Sequence, residues 1–256
     1  MNCGATAMAR GSQSWLALGM AALVASCAAP SRPAGQPASA SVGRDYWGHR
    51  PGPRGFQTVI LDAGHGGKDP GATSGTTGQQ EKALTLDLVK RIRAELGRSF
   101  RILLLRDDDV FIELDERVVQ ANRAGDAVLV SVHFNSGSAR VRGPETYYWR
   151  VDSHGLAVRL QQAMAAVSPA ETGNRGLVRR RLRLTRNPEI PCVLVEGGYL
   201  SHPAEARLIA TPAYRQRLAG AIARAIRSQA RAGDAGTGPL PPPLHEPPSR
   251  PDDLRE

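Results

Sequence analysis

The chain has 256 residues, 41% of them hydrophobic, which suits one domain of ordinary size with appendages. Lys and Arg total 33 against 24 Asp and Glu, a formal net charge of +9, so nucleic acid, anionic lipid or an acidic polymer are the partners to weigh. Nucleic acid is disfavoured, because the bases are scattered, aromatics make up only 5%, and no basic stripe with interleaved aromatics occurs.

At the N-terminus, Arg10 precedes an apolar run from Trp15 to Val24, and small residues then lead to Val24-Ala25-Ser26-Cys27. A run of about ten residues falls short of the roughly 20 a membrane span needs, and the pattern is that of an export signal. The last four residues resemble the lipobox of bacterial lipoproteins. That resemblance implies removal of residues 1–26, lipid on Cys27, and a protein tethered to a membrane on the periplasmic side of the cell envelope; a cleaved signal without lipid is the alternative. Residues 27–55, rich in Pro, Ala, Ser, Gly and Arg without apolar periodicity, read as a disordered linker. The folded unit is expected over 56–232, followed by a disordered Pro-rich tail over 233–256.

Within 56–232, Thr58 to Leu61 reads as a buried strand followed by a glycine-rich loop. Glu81 to Leu96 reads as a helix, with Leu84, Leu88, Ile92 and Leu96 at intervals of four. Ile102 to Leu105 is a second strand, Glu113 to Arg123 a second helix, Val128 to Val132 a third strand and Thr146 to Trp149 a fourth. A helix over about 153–167 follows. The arginines at 175, 179, 180, 181, 183 and 186 suggest a solvated strand with Leu182 and Leu184 facing inward, or a surface for peptide carboxylates or lipid headgroups. Cys192 to Val195 is a deeply buried strand in which Cys192 is a small core residue. Tyr214, Leu218, Ile222 and Ile226 mark a closing helix. Strands alternating with helices predict an α/β fold: a single-domain sandwich with a mostly parallel central sheet flanked by helices.

Polar residues fall at the carboxyl ends of those strands, where open α/β sheets bind ligands. His65 lies past the first strand, His133 ends the third and Glu196 ends the last, while Glu81 opens the first helix. Singly, each histidine is ordinarily a loop or core residue, and Glu81 is a carboxylate favourably placed at a helix N-terminus. Glu196 is harder to explain so simply, because a carboxylate emerging from a buried strand is costly unless paired, protonated or metal-bound. Together the four fit a catalytic zinc site, with two imidazoles and one carboxylate as ligands, an open position for water, and a second carboxylate to move the proton.

The stretch Leu61-Asp62-Ala63-Gly64-His65-Gly66-Gly67-Lys68-Asp69-Pro70-Gly71-Ala72 resembles the opening motif of the zinc-dependent N-acetylmuramoyl-L-alanine amidases. The match continues through Glu81-Lys82, Arg106 to Asp109, Ser131-Val132-His133-Phe134-Asn135-Ser136, Arg175-Gly176 and Pro191 to Ser201, so it spans nearly all of 56–232. The resemblance implies Zn2+ as cofactor, His65, Glu81 and His133 as its ligands, and Glu196 as catalytic base. It further implies Asn135 and Arg175 as substrate-binding residues, and peptidoglycan as the substrate of a monomeric enzyme. His202 departs from the asparagine common in relatives and is expected in a surface loop rather than as a fourth ligand. Some relatives insert a helix that plugs the zinc site, and the segment between His133 and Glu196 looks too short to hold one. Two other readings are a degenerate, non-catalytic wall-binding lipoprotein, and a zinc hydrolase of small peptides or acyl amino acids.

Overall fold

The computed structural model describes residues 51–244 and 247–250; the signal, Cys27 and most of the linker lie outside the described residues. In chain order the elements are β1 (Thr58–Ala63), α1 (Glu81–Leu96), β2 (Arg101–Leu104), α2 (Leu114–Asn122), β3 (Ala127–Asn135), β4 (Glu145–Tyr148), α3 (His154–Val167), β5 (Gly176–Arg179), α4 (Arg183–Arg186), β6 (Cys192–Tyr199), α5 (Pro203–Ala210) and α6 (Pro212–Ala232). Six strands form one sheet in the order β2-β1-β3-β6-β4-β5. The first four of these run parallel, whereas β4 is antiparallel to β6 and parallel to β5. The expected mostly parallel α/β sandwich is therefore the observed one, with β5, at the start of the arginine-rich stretch, as its sixth strand.

The middle of the sheet is buried on both faces, as parallel sheets require, so β1, β3 and β6 read as continuous apolar runs. Alternate side chains divide between two layers. Val59, Leu61, Val128, Val130, Val132, Val193 and Val195 meet Leu84, Leu88 and Ile92 of α1, Leu156 and Leu160 of α3, and Leu218, Ile222 and Ile226 of α6. The opposite face is more thinly covered. There Ile60, Leu129 and Cys192 pack with Ala121 of α2 and Leu184 of α4, and those helices are only nine and four residues long. Asp62, Ser131, His133 and Glu196 sit on this second face by the same alternation, which leaves the C-terminal half of it open for chemistry.

Several boundaries differ from the sequence-based expectation. Strands β3 and β6 do not end at His133 and Val195 but run on to Asn135 and Tyr199, so His133 and Glu196 lie within strands, paired across the ladder. The arginine-rich stretch is a strand only over Gly176–Arg179, the half-buried β5, and then forms α4, in which Arg183 and Arg186 are buried; Leu182 and Leu184 do face inward. Arg183 bonds Asp115, and the tail supplies carbonyl partners at Pro242 for Arg179, Pro247 for Arg186 and Ser249 for Asn187. The tail expected to be disordered thus lies along this segment over its described residues, because the arginines need acceptors that the sheet edge does not provide. At the other end, Gly52 and Gly55 donate backbone hydrogen bonds to Asp234 and to the Ala230 carbonyl, so ordered structure begins before residue 56.

Two buried arginines fix the chain where β1 gives way to the loop. The Arg106 guanidinium donates to the carbonyls of Ala63, Gly64 and Lys82 at 2.9, 2.8 and 2.8 Å, tying the end of β1 to the start of α1. Arg117 pairs with Asp62 and donates to the carbonyls of Ala63 and His65 at 2.9 and 2.7 Å, and Ser131 donates to the other Asp62 oxygen at 2.7 Å. Removing one partner of a buried ion pair strands the other charge, at a cost of about 3–5 kcal/mol. Arg117→Met is expected to lower unfolding stability by about that amount in urea titration, with Asp62→Asn in the same chain restoring part of it. A loss of under about 1 kcal/mol would show that the pair does not hold this loop.

Candidate metal and catalytic site

The loop between β1 and α1 is shaped by close contacts that exclude side chains. A Cβ on Gly64 would stand 2.2 Å from the His133 ring. At Gly71, where φ is +64°, a Cβ would lie 2.6 Å from the His65 ring and 2.7 Å from a Glu81 carboxylate oxygen. Both glycines therefore let the backbone pass directly beside the functional side chains. His65 itself has φ of +61°, an unfavourable conformation for a side-chain-bearing residue, held by the Arg117 bond to its carbonyl.

Glu81, the first residue of α1, points its carboxylate between the two histidines. Its oxygens lie 3.1 Å from Nε2 of His65 and 3.0 Å from Nδ1 of His133. The backbone N–H groups of Ala72 and Phe134 donate to the same carboxylate at 2.9 and 3.0 Å, and the helix N-terminus adds its partial positive charge. Burial alone would raise the Glu81 pKa; the hydrogen bonds and charge of His133 and His65 outweigh it and hold the carboxyl well below the usual range. Burial would likewise lower the His65 pKa, but Glu81 and then Asp69 push it up to about 9. Asp69 lies 2.8 Å from Nδ1 of His65, so it fixes the ring's orientation and directs Nε2 inward.

One ligand atom each from His65, Glu81 and His133 falls within 4.8 Å of the others. The structure thus brings together the three residues the resemblance assigned to the metal. Glu196 sits beside His133 on the next strand, is 8% exposed, and lines a cavity of about 430 Å³ with His65, Glu81, His133 and Asn135. A second cavity of about 620 Å³ lies on the α2 side of the same two histidines, lined by Lys68, Phe111, Ile112 and Arg117 among others. Two grooves therefore meet at the histidine pair, a shape suited to a substrate extended on both sides of the reacting bond.

Asn135 lies at the mouth of the smaller cavity, where its amide donates to the Tyr199 hydroxyl at 3.2 Å. Arg175 stands next to Glu145, just before β5, and is not among the residues lining that cavity. His202 is the N-cap of α5, accepting from the Glu205 N–H at 3.3 Å, and is not in the cluster. Sequence reasoning passed over Glu145, the first residue of β4, which pairs with Glu196 across the ladder. A strand of only four residues gives little warning that its first residue faces the site. It also passed over Asp69, although Asp at four residues beyond His65 in a glycine-rich loop is a signal that could have been used.

The sequence matches the N-acetylmuramoyl-L-alanine amidase family over residues 59–228. Among curated proteins, the N-acetylmuramoyl-L-alanine amidase LytC of Bacillus subtilis is 32% identical over 172 residues, covering 65% of this chain and 34% of LytC. The probable cell wall amidase LytH of Staphylococcus epidermidis is 32% identical over 174 residues, and this chain spans 57% of its length. Among solved structures, the catalytic domain of CwlV from Bacillus (Paenibacillus) polymyxa superposes with a TM-score of 0.64 at 33% identity, covering 68% of this chain and 97% of that domain. The amidase AmiC2 of Nostoc punctiforme gives 0.63 at 36% identity, with 69% and 98% covered. By sequence over most of its folded part, and by fold, this chain belongs to the N-acetylmuramoyl-L-alanine amidase family.

Proposed function

We propose that the chain hydrolyses the amide joining N-acetylmuramic acid to L-alanine in peptidoglycan, using a zinc ion held by His65, Glu81 and His133. The observation that carries this is the convergence of those three ligand atoms beside Glu196 at the junction of two grooves. Two imidazoles and one carboxylate are the donor set of a catalytic zinc site with one position left open, so the residues present fit the metal. When bound, the ion lowers the pKa of a coordinated water and polarises the scissile carbonyl.

The chain's own residues do the rest. Glu196 takes the proton from the attacking water and delivers it to the leaving nitrogen, a general-base and then general-acid role. Asp69 keeps His65 in one tautomer with Nε2 available. Asn135 and Arg175 hold the substrate, and the ladder that pairs His133 with Glu196 keeps the base beside a side chain that would hold the metal. A non-catalytic wall-binding module is disfavoured, because such a module gains nothing from retaining three ligands and a base together. The enzyme acts as a monomer, exported and tethered to the envelope membrane by lipid on Cys27. No helix among the described residues is long and apolar enough to cross a membrane; the lipobox-like sequence is the anchor this reading relies on.

Glu196→Gln keeps the shape of the side chain and removes its basicity, so turnover is expected to fall by about 10²–10⁴-fold with zinc content unchanged. Activity within about threefold of wild type would remove Glu196 from the proton path, and loss of zinc would make it a ligand instead. Cys27→Ser should move the protein from the membrane to the soluble fraction on cell fractionation; a variant that stays with the membrane would place the anchor elsewhere. Both grooves reach the histidines directly, so residues 51–256, purified and zinc-loaded, should cut sacculi without a protein activator. Negligible activity that rises by orders of magnitude with cell extract would contradict this.

A further inference from the structure

Beyond the histidine cluster, the second face of the sheet carries a connected polar group centred on Glu145, a residue to which zinc hydrolysis as described gives no part. Glu145 is 4% exposed, and its Oε2 accepts from the hydroxyls of Tyr147 and Tyr199 at 2.8 and 3.0 Å. The same oxygen lies 3.4 Å from Nδ2 of Asn135 and 3.4 Å from Nε of Arg175. Burial and the neighbouring carboxylates push the Tyr147 phenol up to about 12, and Tyr199 is raised too, by burial first and then by Glu145. Both phenols therefore remain donors, and the carboxylate they support is fixed rather than mobile.

The consequence falls on Arg175. Its Nε faces Glu145 and its guanidinium lies 5.6 Å over the Tyr199 ring, so two contacts at different angles set the plane of the group. Its side chain is nevertheless 40% exposed, and among the described residues its two terminal nitrogens carry no hydrogen bond. Four N–H donors in a rigid fork thus stand open, a geometry that matches a carboxylate in a two-point contact. Arg180, over the Tyr147 ring at 5.6 Å, adds positive charge on the same side. This group is reached from Glu196 by one step across the ladder to Glu145, on the far side of Glu196 from His133.

We propose that Arg175 anchors a carboxylate on the peptide half of the substrate, and that Glu145 is the positioning residue that aims it. The inference rests on the amidase reading, in which the glycan side of the cleaved bond is rich in hydroxyls and its lactyl acid is consumed in the amide itself. Free carboxylates then belong to the peptide, so the peptide leaves the metal toward β4 and β5 and the glycan occupies the groove beside Phe111. Glu145 has no contact with the reacting bond. It acts by removing the freedom of a long side chain that would otherwise sample many rotamers, and a preorganised guanidinium loses less entropy on binding.

The test is calorimetric titration of the full, zinc-loaded chain carrying Glu196→Gln, which binds without turnover. The probes are two synthetic muramoyl peptides, identical except for a free carboxylate or a carboxamide on the second residue. A charge-assisted bidentate contact should favour the carboxylate on the order of tenfold or more. Adding Arg175→Gln should erase the preference, Arg175→Lys should restore only part of it, and Glu145→Gln or Tyr199→Phe should shrink it with Arg175 intact. Equal affinity for the two peptides, binding of neither, or a preference that survives Arg175→Gln would overturn the anchor. A preference unchanged by both Glu145→Gln and Tyr199→Phe would overturn the positioning role. Whether wild-type protein frees peptides from sacculi is read separately, so loss of the anchor and failure of the amidase reading give different results.

Discussion

An ionised carboxylate in an apolar interior is costly unless several partners surround it, and in this protein the Glu81 carboxylate is met by four groups, two from the β1–α1 loop and two from β3. The Ala72 N–H comes from the glycine loop, the Phe134 N–H from β3, and the two imidazoles from His65 and His133. Each of those contributions is a constraint on the fold. The loop must bring Gly71 against Glu81 with no side chain in between, β3 must extend past His133 to present its next N–H, and α1 must begin at Glu81 and not one residue later. The same three side chains are the ones that would hold a divalent cation. Metal binding and local folding are therefore two expressions of one requirement.

The placement of the rest follows from how unevenly the sheet is covered. One face is fully occupied by α1, α3 and α6, whereas the other carries α2 and the short α4. Residues that alternate onto the second face toward the C-terminal ends of the strands, His133 and Glu196 and then Glu145, meet solvent-accessible grooves instead of helix. Glu145 reaches this row because β4 runs against β6, which sets its first residue opposite Glu196. Beneath the row, Arg106 and Arg117 gather backbone carbonyls that the irregular loop leaves without strand partners. Two buried guanidiniums thus do for the loop what a ladder does for a strand.

How much of this could be read beforehand depended on the range of the interaction. Strand and helix identities were legible because period-two and period-four apolar patterns are local, as in Leu84, Leu88, Ile92 and Leu96. The residues of the histidine–glutamate cluster were legible because they follow or open those elements and because their flanking motifs are specific. Glu145 was not, since its significance arises only from antiparallel pairing with β6, and pairing partners are a long-range property. The buried state of Arg183 and Arg186 was hidden for a similar reason: a run of arginines looks solvated until Asp115 and the tail carbonyls are seen to meet it. Asn135 and Arg175 were named from the motifs, yet the Glu145 carboxylate between them could be found only in three dimensions.

The central claim is that the site breaks one bond, the amide between N-acetylmuramic acid and L-alanine. Mass spectrometry of the products released from purified sacculi by the zinc-loaded protein addresses it most directly. The account predicts stem peptides with a free L-alanine amino group, together with glycan strands that retain their lactyl acid and carry no peptide, and neither product after the metal has been stripped. Muropeptides still joined to their peptides, peptides cut at an internal bond, or undiminished release from metal-free protein would contradict it.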